Sequence, residues 1–224
     1  MKPARVVTIT TVPKRIIIVC AGGQGAIAAD ILQRARDAGA DALAIGFVDD
    51  TPELAGTAVL GLEVFGPIAS LSGIGHDVIV VALGDNEARR AMTERLLAAG
   101  ERLTAAIHPR ACIAPSASIG EGSMISAGAV ICPRANIGRG AIINTNASVD
   151  HDTVVEDFAH VSPGATVGAR CRIGAESLIG LGASVLSGAI VGARTIIGSG
   201  AAVVADIPAG VVAFGVPAAI KRHW

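Results

Sequence analysis

The sequence predicts a small α/β domain of parallel strands followed by a parallel β-helix, and three observations carry that reading. Every sixth residue from Ile107 to Val203 is Ile or Val, without an exception. Four places after each stands a small or slim residue, as at Ala111, Ser123, Thr153, Cys171 and Thr195, and only the last, Ile207, is large. A period of six matches neither the 3.6-residue helix nor a two-residue strand alternation, and self-similarity at a fixed period marks a solenoid. Ahead of the repeat, continuous apolar runs alternate with helical patterns, the order of a parallel α/β unit.

Taken in order, residues 1–13 read as a disordered lead-in. They carry basic residues but no apolar block with a cleavage site, so no signal peptide is expected. Residues 14–106 form the α/β domain. Its first strand is Arg15–Ala21, apolar throughout as in a strand buried on both faces. The turn Gly22-Gly23-Gln24-Gly25 leads into a helix over Ala26–Ala38, stopped by Gly39. A glycine turn opening a helix lets backbone N–H groups approach a phosphate, and the helix end adds partial positive charge. The second strand, Ala42–Val48, ends in Asp49-Asp50, placed to hydrogen-bond a ribose or a sugar. The third, Val78–Leu83, runs into Gly84-Asp85-Asn86, a cap for the helix Glu87–Ala99. So short a domain holds one mononucleotide-binding half; an NAD-dependent oxidoreductase would rest on the glycine pattern alone.

Residues 107–208 form the β-helix, three hexads to each 18-residue turn, with the aliphatic residue inside. At about 4.8 Å between stacked turns the column is roughly 25–30 Å tall. Residues 209–224 read as a C-terminal tail. Net charge is −1, from 18 basic and 19 acidic side chains, which gives no footprint for nucleic acid or an anionic membrane. The apolar runs are too short to cross a bilayer. Cys20, Cys112, Cys132 and Cys171 lack paired spacing, so they read as reduced packing residues of a cytoplasmic protein, with no metal site.

Within the bland Ala, Gly, Ile and Val of the repeat, Asn144–Asp152 is densely polar, and His160 follows His151 by nine residues, half a turn. Acyl transfer to an amine or hydroxyl needs a base, and His151 has a suitable unperturbed pKa, with Asp152 beside it to fix the tautomer. The other histidines, His76, His108 and His223, read as exposed corner residues.

An ordered set of motifs extends this picture: Gly22–Gly25, Gly46-Phe47-Val48-Asp49-Asp50, Leu83-Gly84-Asp85-Asn86-Glu87-Ala88-Arg89, Ile107-His108-Pro109, Asn144–Asp152, His160–Ala165 and Gly215-Val216-Pro217-Ala218. Together these resemble the hexapeptide-repeat sugar acetyltransferases of the bacillosamine N-acetyltransferase and sialic acid O-acetyltransferase type. The resemblance implies a left-handed coil, a homotrimer with sites between subunits, and acetyl-CoA as co-substrate. It implies His151 as general base, Asp152 as its acidic partner and Asn144 beside the acceptor. It also implies that Gly22, Gly23, Asp49 and Asp50 hold a nucleotide-linked amino sugar, with a UDP-4-amino-4,6-dideoxy sugar expected. Gln24 stands where relatives commonly carry His. His160 falls near the thioester, and Gly180, Gly198 and the basic pair Lys221-Arg222 near the rest of acetyl-CoA. N-acetylation is the leading expectation; sugar O-acetylation and a non-catalytic trimeric nucleotide-sugar-binding protein are the alternatives.

Overall fold

The structure, a computed structural model, describes residues 14–223. The expected lead-in 1–13 lies outside the described residues. Strands β1 (Lys14–Val19), β2 (Ala42–Val48), β3 (Ala58–Val59), β4 (Leu62–Glu63) and β5 (Val78–Val81) and helices α1 (Gly23–Asp37) and α2 (Asn86–Ala98) make up the α/β unit. β1 is the middle strand of a parallel sheet ordered β2-β1-β5, and β3 and β4 pair as a small antiparallel hairpin. Alternation along β1 sends Ile16 and Ile18 to the side covered by α1, and Ile17 and Val19 to the side covered by Leu96 of α2. The sheet is therefore buried on both faces, which is why its strands read as continuous apolar runs. α1 begins at Gly23 with Gly22 as its cap, three residues before the expected start. Its first turn is thus built from the glycine turn itself.

The repeat folds as a left-handed parallel β-helix. Each two-residue strand pairs with the strands 18 residues before and after it, as in Val130↔Ser148↔Thr166. One face stacks the strands carrying Met124, Ile142, His160, Leu178 and Ile196. A second stacks those carrying Val130, Ser148 and Thr166, and a third those carrying Asn136, Val154 and Arg172. The aliphatic residues from Ile125 to Val203 all point inward and are almost completely buried. Burial of one such side chain contributes about 1.5–3 kcal/mol, so the stack supplies the column's cohesion. The small residue four places later fills the space beside it. Where it is Ser or Thr it donates to a carbonyl of the next coil: Ser123 to Gly138, Thr153 to Gly168, Ser177 to Gly192 and Thr195 to Pro208, at 2.7–2.8 Å. Buried hydroxyls are kept because each is satisfied.

Every sixth residue from Gly122 to Gly200 turns a corner with positive φ. Half are Gly, and Arg134, Asn146, Asp152, Phe158, Arg170, Glu176 and Arg194 take the same conformation at φ 53–60°. In place of the expected tail, Val211–Phe214 and Ala219–His223 form an antiparallel pair that extends the first face above Ile196. These residues pair rather than trail because Val211 and Ala213 cap the open end of the core.

The α/β unit docks on the lower part of the first face. The outward residues Ala106, Met124 and Ile142 share one apolar cluster with Ile31 and Leu32 of α1. Arg89 of α2 bolts the two parts together. It is fully buried, and its guanidinium donates to the carbonyls of Gly140 (2.8 Å), Phe158 (2.7 Å) and Leu83 (2.8 Å) and to Asn86 Oδ1 (2.7 Å). Burial lowers its pKa to about 10, so the group stays charged at neutral pH.

Candidate active site

The prism sorts polar residues into columns, because positions 18 apart stack on one edge. On the edge after the first face, His108, Ser126, Asn144 and Ser162 succeed one another, each no more than 6% exposed. Gly180 and Gly198 continue the same column with no side chain at all. A Cβ on Gly180 would meet the Ile197 carbonyl oxygen at 2.6 Å, and one on Gly198 would meet Phe214 Cβ at 2.6 Å. Close stacking of the next coil therefore already requires glycine at both positions.

Asn144 is the hub of this edge. Its Oδ1 accepts from the Thr145 backbone N–H at 2.8 Å, which assigns the amide and leaves Nδ2 facing His160 Nε2 at 3.0 Å. An amide nitrogen only donates, so His160 Nε2 must accept and the ring proton sits on Nδ1. Burial drives the His160 pKa down to about 4, helped by the nearby Arg89 charge and opposed by a hydrogen bond to the Gly84 backbone. His160 is thus neutral at physiological pH, and its Nε2 has no proton to offer a substrate in this geometry. Asn144 Nδ2 keeps a second N–H.

His151 lies on a different edge, the corner between the second and third faces, and is 40% exposed. Its backbone is held by Asp150 Oδ1, which accepts its N–H at 2.7 Å. His151 Nδ1 meets Asp152 Oδ2 at 2.7 Å. The carboxylate can only accept, so the proton is on Nδ1 and Nε2 is left as a base. Asp152 in turn receives Arg134 side-on, Nε to Oδ1 at 2.6 Å and the terminal nitrogen to Oδ2 at 2.8 Å. The Arg134 hydrogen bonds, then that of His151, hold the Asp152 carboxyl well below the usual carboxylate range. Arg134 went unnoticed in the sequence, yet it stands one 18-residue turn before Asp152, and reading the repeat by turns rather than by hexads reveals it.

The nucleotide-side residues gather around the glycine turn. A Cβ on Gly22 or Gly23 would meet nothing within 4 Å, whereas one on Gly25 would meet the Cys20 carbonyl at 2.2 Å. Gly25 is needed for helix–strand contact, while Gly22 and Gly23 leave the start of α1 open. Asp49 reaches back to this turn, accepting from Ala21 N at 2.7 Å and from Thr51 N at 2.8 Å. Burial raises the Asp49 pKa and these donors lower it more, for a net decrease. Asp50 Oδ1 accepts from Ile68 N at 2.8 Å. Both carboxylates thus shape the loops around the turn. Gln24 points at the prism, with Nε2 3.7 Å from Met124 Sδ. Next to it opens a hollow of about 390 Å³, lined by Ile27, Asp30, His108, Ser126 and Thr145.

A larger groove of about 730 Å³ lies above the docked unit, lined by Asn86, Glu176, Leu178, Arg194, Ile196 and His223. Leu178 and Ile196 are the next outward residues above His160 on the first face. Lys221 and Arg222 are exposed on the final strand near the groove's upper end, and Lys221 Nζ lies 5.4 Å from the Phe214 ring centre. Among the described residues no group of three or more His, Cys, Asp or Glu is arranged to hold a metal ion. No helix among them is long and apolar enough to cross a membrane.

Two histidines and one cysteine differ from the sequence expectation. His108 is buried at 3% exposure, its Nδ1 accepting from Arg110 N at 2.9 Å, because α1 covers the corner it occupies. His76 is largely buried too, between the Ile74 carbonyl and Glu101, each at 2.7 Å. Among the cysteines, all of them free, Cys171 is buried as expected but Cys112 is exposed.

Residues 15–96 match the family model described as PglD N-terminal domain. A histidine-to-asparagine variant of perosamine N-acetyltransferase from Caulobacter crescentus, crystallised with CoA and GDP-perosamine, is 35% identical, with a TM-score of 0.86 over 92% of this chain and 96% of that one. The acetyltransferase domain of PglB from Neisseria gonorrhoeae, in complex with acetyl coenzyme A, is 36% identical over 93% of this chain and 100% of that one, with a TM-score of 0.85. WeeI from Acinetobacter baumannii is 26% identical at a TM-score of 0.81, over 92% of this chain and 99% of that one. Among curated protein sequences none matches. The docked α/β unit, the unbroken prism and this likeness over nearly the whole length of one N-acetyltransferase and one acetyltransferase-domain structure place the chain in the family of hexapeptide-repeat sugar N-acetyltransferases.

Proposed function

We propose that the protein transfers the acetyl group of acetyl-CoA to the amine of a nucleotide-linked 4-amino-4,6-dideoxy sugar, working as a cytoplasmic homotrimer. The observation that carries this is His151, half-exposed on a corner with its proton held on Nδ1 by Asp152 and its Nε2 open. The neutral amine attacks the thioester carbonyl, the C–N bond forms, and His151 Nε2 takes the amine proton. The C–S bond then breaks and CoA leaves as the thiol, receiving that proton. The second N–H of Asn144, or a backbone N–H, answers the charge developing on the carbonyl oxygen.

One chain keeps His151 on one edge and the Asn144–His160 pair on another, so a neighbouring prism is needed to close the site. Val130, Leu186 and Ile190 on the outer walls are 38–56% exposed, apolar surface suited to packing around a three-fold axis. Four free cysteines suit the cytoplasm. Acetyl-CoA would lie along the prism past His160, Gly180 and Gly198 toward Lys221 and Arg222. The open start of α1 at Gly22 and Gly23, with Gln24, Asp49 and Asp50, would hold the nucleotide end of the acceptor. Either a UDP or a GDP carrier is compatible, since the Caulobacter relative was crystallised with GDP-perosamine.

The test is thiol release from acetyl-CoA against UDP- and GDP-linked amino sugars and free sialic acids. Release with the amino sugars, and an amide in the product, is the expected result. Acetylation of hydroxyl acceptors alone would move the chain to sugar O-acetylation. No release with any acceptor, despite nucleotide-sugar binding, would leave a non-catalytic binding protein.

A further inference from the structure

The corner that carries His151 holds charged groups with no role assigned above. Residues 134, 152 and 170 occupy the same corner of three successive turns, so Asp152 sits between Arg134 below and Arg170 above. Arg134 spans the turn spacing and grips Asp152 with two parallel N–H···O bonds, at 2.6 and 2.8 Å. The Asp152 oxygen that receives the second of these also accepts from His151 Nδ1 at 2.7 Å. Asp152 thus takes three charged or ring N–H donors, and all three positions lie on rigid stacked corners. A side-on guanidinium fixes the plane of a carboxylate as well as its position, which an ammonium does not.

We propose that Arg134 is a positioning residue for the transfer: it locks the Asp152 carboxylate so that His151 keeps its proton on Nδ1 and aims an unprotonated Nε2 at the acceptor. The inference rests on His151 being the base. The charged and titratable groups around His151 are Arg134 and Arg170 at corner positions one turn below and one turn above, Asp152 on its Nδ1, Asp150 on its backbone N–H, and Cys132 beside Asp150. The His151 carbonyl also accepts from the Arg170 backbone at 3.0 Å. Loss of Arg134 removes a cation and leaves the Asp152 charge less shared. Both changes favour the protonated ring, so the base is used up at a higher pH.

The experiment measures kcat against pH for the trimeric enzyme and for Arg134→Met, Arg134→Lys, Asp152→Asn and the Arg134→Met/Asp152→Asn double variant, with melting temperatures to confirm folding. Arg134→Met is expected to lower kcat about 5–50-fold and to move the acid limb up by about 0.5–1 pH unit. Arg134→Lys should return the limb toward its original position while kcat stays reduced, because the charge is restored and the side-on grip is not. The double variant should lose no more kcat than Asp152→Asn alone, since Arg134 acts through that carboxylate. An Arg134→Met enzyme with unchanged kcat and acid limb overturns the proposal, as does full additivity with Asp152→Asn. Should Arg134→Met fail to fold, the Lys variant decides alone: a kcat equal to that of the parent would count against the grip. His151→Ala separates the two levels, because near-normal kcat there removes the base itself, whereas an inactive His151→Ala beside a normal Arg134→Met removes only the role of Arg134.

Discussion

His151 and His160 are nine residues apart, yet the protein keeps them under opposite conditions. His151 is exposed at a corner, and its partner is a carboxylate that an arginine already holds. His160 is partly buried on the first face where the α/β unit ends, among an amide, a backbone group and the Arg89 charge. One ring keeps its Nε2 open beside a carboxylate-bound Nδ1, and the other has its Nε2 already taken by an amide. The difference is made by what stacks 18 residues away and by what docks from outside, since both histidines are carried by the same kind of coil. A proton-transfer group needs access and a matched pKa, while a group that orients an amide needs a single fixed protonation state.

The sharpest break of this contrast is His151→Ala, which should lower kcat by about 10²–10⁴ with melting temperature nearly unchanged. Activity close to that of the parent would reverse the roles assigned to the two rings. Next in size is Arg89→Met, expected to lower stability by about 3–5 kcal/mol, since it strips buried carbonyls of their donor. Denaturant melts would show this, and because Arg89 also holds the α/β unit against His160, kcat should fall as well. A surface-like loss below 1 kcal/mol would mean that the docking does not depend on this residue.

A smaller effect follows from the depressed pKa of His160. The ring stays neutral in the fold while the unfolded chain takes up a proton below about pH 6.5, so stability present above that pH is lost as pH falls toward about 4. At 1.36 kcal/mol per unit the loss is of the order of 3 kcal/mol. His108, whose pKa burial also lowers, acts in the same direction. Denaturant titrations at pH 7 and pH 4.5 measure the slope, and His160→Gln should flatten it; an unchanged slope would show that His160 is not the group responsible. The smallest expected effect on stability is that of Gly22→Ala. With nothing near the added methyl and an ordinary φ of −73°, stability should move by less than about 0.5 kcal/mol. The KM for the nucleotide-sugar should rise if a phosphate approaches that turn, and an unchanged KM would place the nucleotide elsewhere.

Several of these features were legible in the chain. The hexad period specifies the prism because only an inward aliphatic every six residues can fill a three-sided core, and His151-Asp152 stands out because the rest of the repeat is chemically plain. Arg134 was hidden by separation: its partner is distant along the chain and adjacent only through coil stacking. Arg89 enters the sequence reading only as the last residue of a motif, because a helical pattern shows which face is apolar but not that a second unit will cover a cation and feed it carbonyls. His108 was misjudged for the same reason, its corner being exposed in a bare prism and covered by α1 in the folded protein.

What the sequence determined by itself is local and periodic: the strand–glycine–helix unit, the unbroken inward column, and one polar passage from Asn144 to His160. Short-range sterics and hydrophobic spacing suffice for these, and both are written in neighbouring residues. Tertiary structure decided the protonation states. His160 is neutral because docking desolvates it beside Arg89, and His151 donates from Nδ1 because a carboxylate held from the turn below accepts there. Electrostatic environment depends on distances between parts that the chain sets far apart, and only the stacking of turns and the docking of α1 and α2 bring those parts together.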